Sequence, residues 1–214
     1  MDIIHFLTTL LQDPLATLQG LLAQYDTQTY IIIALIIFVE TGLIVMPILP
    51  GDSLLFAAGL LASSTGKLEL HILIPLLIGA ALLGDNVNYW VGKHFSRYIK
   101  SRRQILFFKH EYLDQTHAFY KTHGGKAVIL ARFMPIIRTV APFVAGAGSM
   151  KYGKYIVFCI LGGTIWVTSL TLAGYFLGSN EWVKLNFEKV VLSIVFISIS
   201  PMLWHFIQKK LSKS

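Results

Sequence analysis

The chain has 214 residues, of which 55% are hydrophobic and 14% charged; its formal net charge is +7 and its mean hydropathy +0.64. That balance excludes an ordinary soluble domain and describes an all-α polytopic membrane protein of one domain, 1–214, with room for about four to six segments of about 20 residues. Cys159, the single cysteine, lies in an apolar run, which excludes an intramolecular disulfide and argues against a cysteine metal site.

In chain order, the first apolar run, 3–22, is interrupted by Asp13-Pro14; spanning the bilayer is the favoured reading, lying flat in the interface the alternative. No Lys or Arg precedes it, so a cleaved signal peptide is not expected. The second run is set apart by its length, since Tyr30 to Leu61 is 32 residues. It is too long for one ordinary crossing and too short for two with a turn. Two half-depth limbs broken at Pro47, Pro50 and Gly51 fit it, which predicts a re-entrant hairpin over 29–63.

A transmembrane helix is predicted over 72–92, followed by a cytoplasmic basic linker over 93–126. Eight of the 18 Lys and Arg residues lie in that linker, and Lys209, Lys210 and Lys213 close the C-terminus. Basic clusters beside spans mark the cytoplasmic side and attract anionic headgroups. There is no soluble module to carry a nucleic-acid patch, so nucleic acid is not an expected partner. Phe108, Tyr112, Thr116 and Phe119 or Tyr120 recur at helical spacing, which predicts an interfacial helix in the linker.

The run at 127–148 is long enough to cross, so parity decides. If linker and C-terminal tail are both cytoplasmic, an even number of crossings separates them. The runs at 153–178 and 189–207 supply two, so 127–148 enters and returns as a second re-entrant hairpin, broken at Pro135. Both termini are then cytoplasmic. Each hairpin precedes one span, Tyr89-Trp90-Val91-Gly92 ending the first and Tyr175-Phe176-Leu177-Gly178 the second. Hairpin plus span, repeated in opposite orientation and flanked by N- and C-terminal helices, is the inverted-repeat plan of secondary transporters.

Charges inside these hairpins point to function. A charge at mid-membrane costs about 2.5–3.5 kcal/mol on the lenient insertion scale, and Glu40, Asp52, Arg132 and Arg138 make four. Arg132 and Arg138 would lie on different faces of a straight helix, but a break at Pro135 can swing both toward one cavity. A guanidinium stays charged and grips phosphate through a bidentate fork, so the pair reads as a phosphate-headgroup site. The competing reading is that they only neutralise Glu40 and Asp52. Those two are candidate proton carriers, because burial favours the protonated carboxyl and a nearby arginine the ionised one. Asp52 can alternatively cap the ascending limb. Asp85, in Gly84-Asp85-Asn86, is a third proton-relay candidate or a polar packing contact.

Gly79, Gly84, Gly92, Gly174 and Gly178 read as close helix packing, and Ala145–Gly148 as a limb approaching the first hairpin. Tyr25, Tyr30, Trp90, Tyr152, Tyr155, Trp182 and Trp204 read as interface anchors. His94, His110, His117 and His123 are solvated interfacial histidines on this reading, not a metal site, and no cofactor is expected.

Several motifs carry a family likeness: Glu40-Thr41-Gly42, Pro47–Asp52, Gly84-Asp85-Asn86-Val87-Asn88-Tyr89, Tyr120–Lys126 and Ala131–Met150 (ARFMPIIRTVAPFVAGAGSM). In order and spacing the chain resembles the DedA family of bacterial inner-membrane proteins, over nearly its whole length up to about Asn180. The resemblance implies recycling of undecaprenyl phosphate or another lipid carrier, envelope integrity and proton-coupled transport. It also implies Glu40, Asp52, Arg132 and Arg138 as the functional residues, with lipid phosphate, protons and membrane lipids as partners.

Three other functions compete with a lipid-phosphate flippase. One is proton-coupled transport of a small solute, such as cation or drug efflux, against which the paired arginines argue. Another is an enzyme acting on lipid phosphate, for which no nucleophile stands beside a His in either hairpin. The last is an assembly or envelope-integrity factor held by buried salt bridges. A homo-oligomer is compatible with all of them.

Overall fold

A computed structural model of the chain describes residues 3–43, 50–101, 124–148, 150–187, 189, 190 and 193, and among these the secondary structure is entirely helical. The first apolar run is two short helices, α1 (Ile3–Gln12) and α2 (Pro14–Tyr25). The Asp13 carboxylate accepts the Ala16 amide at 2.9 Å, and Pro14 at the first helical position donates nothing, so a new helix starts there. At 10 and 12 residues neither helix alone reaches across a hydrocarbon core of about 30 Å, so 3–22 is not one continuous helix.

Among the described residues, three stretches are long and apolar enough to cross a membrane: Pro14–Gly42, Leu70–Phe95 and Tyr152–Leu177. The first is not straight. Asp26 takes a positive φ of 44°, and the Thr29 hydroxyl donates to the Leu21 carbonyl at 3.2 Å. In a continuous helix those two residues would be about 12 Å apart along the axis, so the chain turns sharply between α2 and α3 (Thr29–Gly42).

α4 (Gly51–Thr65) follows, ended by Gly66 in the left-handed conformation at φ 66°. α5 (Leu70–Ser101) has 32 residues and continues nine past the predicted end of its span, taking the start of the basic linker into the helix. The predicted interfacial helix of the linker, Pro47 and nearly all of 189–207 lie outside the described residues.

The second half holds α6 (Lys126–Arg132), α7 (Pro135–Ala147), α8 (Tyr152–Leu177) and the short α9 (Glu181–Leu185). Between α6 and α7, Phe133 and Met134 leave helical geometry and Pro135 opens the new helix, so the predicted break falls where proline demands it.

Packing exchanges the halves: α4 lies along α8, and α7 lies along α5, while α3 also packs on α5 and α6 on α8. Glycines set the closeness. A Cβ on Gly59 would overlap the Thr171 carbonyl, and one on Gly174 the Phe56 carbonyl. One on Gly92 would overlap the Phe143 carbonyl, and one on Gly146 the Tyr89 carbonyl. The limb around Gly146 therefore approaches α5, not the first hairpin as its small residues suggested. Gly79, also read as a packing glycine, has open space around it.

The main apolar core joins α1 to α5 with α8 around Leu54, Phe56, Leu61 and Trp166; a smaller one joins Tyr89, Val128, Ala145, Tyr155 and Cys159. Ile31, Leu35, Leu83, Ile165 and Phe176 face outward, as lipid contact requires. Tyr30 and Tyr155 are buried instead of anchoring at an interface: the Tyr30 hydroxyl accepts the Glu69 amide, and the Tyr155 hydroxyl donates to the Asp85 carbonyl.

Gly146→Leu and Gly59→Leu should each lower stability by about 1–3 kcal/mol or more, because backbone cannot move aside as a side chain can. Gly79→Ala should leave it unchanged. Thermal unfolding of the detergent-purified protein checks all three.

Candidate functional site

Four helix ends created by the chain breaks meet near the middle of two long helices. Glu40 sits in the last turn of α3, Asp52 in the first turn of α4, Arg132 at the end of α6 and Arg138 in the first turn of α7. Asp85 comes from the middle of α5, and Cys159 and Trp166 from the middle of α8. Glu40, Asp85, Arg132 and Arg138 are all buried, between 1% and 8% exposed, so none exchanges freely with solvent.

Arg138 is shared. Its Nη2 donates to Glu40 Oε1 at 2.5 Å, and its Nη1 donates to Asp52 Oδ1. One cation thus ties α3, α4 and α7 together, and it joins the first half of the sequence to the second. Gly51 makes room for this: a Cβ there would overlap the Glu40 carboxylate. Asp52 does not cap α4, whose N-cap Pro50 offers no side-chain bond; its carboxylate faces Arg138 instead. That corrects the capping alternative.

Arg132 has a different partner from either carboxylate considered from sequence. Its Nη2 pairs with Asp85 Oδ2 and also contacts Cys159 Sγ at 3.3 Å, and the Cys159 thiol reaches the same Asp85 oxygen at 3.4 Å. Gly162 and Gly163 of α8 leave the space this guanidinium fills: a Cβ on Gly163 would stand 3.3 Å from Arg132 Cζ.

Trp166 joins the two ion-pair sets. Its Nε1 donates to Asp52 Oδ1 at 2.8 Å, while Arg138 Cζ lies 4.9 Å and Arg132 Cζ 5.9 Å from its ring centre. The quadrupole of an indole face attracts both guanidiniums. Sequence reading passed over Trp166 because it sits in an uninterrupted apolar stretch. The available signal was its N–H, which needs an acceptor wherever a tryptophan is buried.

Asn88, also passed over, donates from Nδ2 to the Thr41 carbonyl at 3.2 Å and the Thr139 carbonyl at 2.6 Å. Thr41 is in the last turn of α3, where carbonyls lack intrahelical donors, so Asn88 supplies one and ties α3 to α7. On the other flank the Tyr89 ring stacks on Tyr155 at 4.4 Å, and its hydroxyl donates to the Met150 carbonyl.

Two guanidiniums face three carboxylates in this cluster. Glu40 Oε2 and Arg138 Nε have no hydrogen-bond partner among the described residues. No group of three His, Cys, Asp or Glu side chains among the described residues is placed to hold a metal ion. His94 is bonded to the Trp90 carbonyl, and the other three linker histidines lie outside the described residues or their side-chain contacts.

The family profile described as the VTT domain matches residues 49–176. Protein DedA of Escherichia coli K12 is 44% identical over 211 residues, covering 98% of this chain and 96% of the relative. An uncharacterized membrane protein of Mycobacterium leprae is 44% identical over 173 residues, 79% of this chain and 77% of its own length. Inner membrane protein YqjA of Escherichia coli K12 is 31% identical over 168 residues, 78% and 76% of the two chains. No solved structure matches the chain.

Removing one member of a buried ion pair strands the other, at a cost of about 3–5 kcal/mol. Asp85→Ala and Arg132→Ala should each destabilise the protein by that order. The double replacement Asp85→Leu with Arg132→Leu should recover most of the loss. Melting of single and double variants in detergent checks this.

Proposed function

The chain belongs to the VTT-domain, or DedA, family of membrane proteins, and from that premise we propose that it is a proton-coupled transporter of a phosphorylated lipid carrier. Undecaprenyl phosphate is the carrier the family resemblance favours, and inner-membrane recycling is the role. The carrying observation is the shared Arg138: a buried guanidinium held by two carboxylates at once, Glu40 and Asp52.

The chemistry runs as an exchange. A phosphate competes with carboxylates for the guanidinium fork, since each presents two anionic oxygens to its paired N–H donors. With two arginines and three carboxylates, burial of a net charge is costly, and a proton relieves it. Glu40 is the carboxyl assigned that proton, because its second oxygen has no hydrogen-bond partner among the described residues. Protonation loosens the grip on Arg138, which is then free to take phosphate; deprotonation returns the carboxylates and expels the ligand. Arg132 supplies a second cation when Asp85 yields it. The N-termini of α4 and α7 lie at the cluster, where their amides favour an anion. The prenyl tail stays in lipid.

The inverted-repeat plan of two re-entrant hairpins supports transport. α3 with α4 would form one hairpin and α6 with α7 the other, their four inner ends meeting at a shared site. The exchanged packing of α4 on α8 and α7 on α5 is what two such repeats related by a two-fold axis would produce. The cytoplasmic placement of both termini rests on the distribution of Lys and Arg. A transporter is favoured over an enzyme because the one thiol, Cys159, is enclosed between Arg132 and Asp85 with no histidine bonded to it among the described residues.

A second reading makes the ion pairs structural braces of an assembly factor. The tightly partnered Arg132–Asp85 pair favours it for that half of the cluster.

Binding of undecaprenyl phosphate to purified protein separates the readings. Wild type should bind more tightly at mildly acidic than at alkaline pH. Arg138→Ala should fold and lose at least ten-fold in affinity, the loss of one charge-assisted contact of about 1.5–3 kcal/mol. Glu40→Gln, carrying a neutral isostere of the protonated acid, should bind with a much flatter pH dependence. An Arg138→Ala variant that folds and binds normally would sink the transport site; one that cannot fold would favour the brace.

A further inference from the structure

Trp166 is used by neither the pairing of Arg138 nor that of Arg132, yet it touches both sets. It is 2% exposed, and its N–H is committed to Asp52 at 2.8 Å. Asp52 Oδ1 therefore accepts two donors, Arg138 Nη1 and Trp166 Nε1, while Glu40 competes for the same Arg138. We infer that Trp166 is a positioning residue that holds Asp52 against Arg138 and so sets the pH at which Arg138 is released to a phosphate oxyanion. This rests on the phosphate-site reading above and adds to it a residue that acts through another.

Asp52 Oδ1 is one acceptor with two donors. The indole N–H fixes the Asp52 carboxylate against the guanidinium, and without that donor the carboxylate can turn away from it. Asp52 then competes less well for Arg138, so protonation of Glu40 releases the guanidinium to phosphate under less acidic conditions. Removing the indole N–H should thus free Arg138 at a higher pH.

The charged and titratable groups around Asp52 come from every helix packed there. Glu40 is on α3, Arg138 on α7, and Arg132 on α6 faces the same indole with its partners Asp85 on α5 and Cys159 on α8. None of the others shares the Asp52 oxygen with Trp166 except Arg138. The ring also stands under both guanidiniums, so replacing it by an aliphatic side chain would change two things at once; the N–H must be removed alone.

The test uses the full chain in detergent and undecaprenyl phosphate as the probe. Binding is measured across pH for wild type, Trp166→Phe, Asp52→Asn and the double variant Asp52→Asn with Trp166→Phe. Incorporation of benzothienylalanine at position 166 retains the bicyclic ring and lacks the donor, so the measurement survives if the phenylalanine variant fails to fold. The expected result is a midpoint moved toward alkaline pH by about one unit, the size of one hydrogen bond to a charged group.

In the Asp52→Asn background the same change at Trp166 should move nothing, because the acceptor it acts through is gone. An unmoved midpoint in the wild-type background overturns the inference and leaves the phosphate site standing. An equal shift with and without Asp52 also overturns it, since Trp166 would then act by some other route. A wild type that binds no lipid phosphate at any pH overturns the phosphate site, and this inference with it.

Discussion

Everything near the centre of this protein depends on one guanidinium with two acidic partners. Arg138 reaches Glu40 and Asp52 together, and those three residues sit at the ends of three different helices. A helix end in the interior leaves backbone groups without partners, and a charge there is expensive. The chain places both liabilities at one point, where they offset each other: the breaks supply the geometry for the side chains to meet, and the ion pairs hold the broken ends in place. Asn88 completes the arrangement by donating to the α3 and α7 carbonyls at once.

Around that centre, the packing is fixed by backbone approach. Gly59 and Gly174 bring α4 and α8 together, and Gly92 and Gly146 do the same for α5 and α7. In lipid there is little hydrophobic gain from joining two helices, so close contact over small residues carries much of the association. Each close pair takes one helix from each half of the sequence. The ion pairs Arg138–Glu40, Arg138–Asp52 and Arg132–Asp85 likewise all join the halves.

Much of this was legible in sequence, and for identifiable reasons. Prolines at 50 and 135 are local signals, as is the length of the apolar run after Tyr30, so the division into short helices could be read without knowing any partner. Intramembrane charges announce themselves by their cost, which is why Glu40, Asp52, Asp85, Arg132 and Arg138 stood out. Pairing was not legible. Which carboxylate meets Arg132 depends on how α5 and α6 lie against α8, and no local pattern encodes that. Tyr30 and Tyr155 were misread because a tyrosine near a helix end looks the same whether its ring meets headgroups or a neighbouring helix. Gly79 was misread because a glycine in an apolar helix advertises closeness without saying whether a neighbour comes near. The continuation of α5 into the basic linker escaped because a charged surface ends a span but not a helix.

The division of charge between the halves also bears on how the protein is made. All three carboxylates of the cluster lie before residue 86, and both arginines lie after residue 131. Synthesis proceeds from the N-terminus at about 5–20 residues per second, so for several seconds the bilayer and the insertion machinery hold acidic helices whose counterions do not yet exist. Glycine faces on α4 and α5 wait over the same interval for α8 and α7. The native ion pairs of the first half's acidic residues are deferred until the ribosome has delivered the second half.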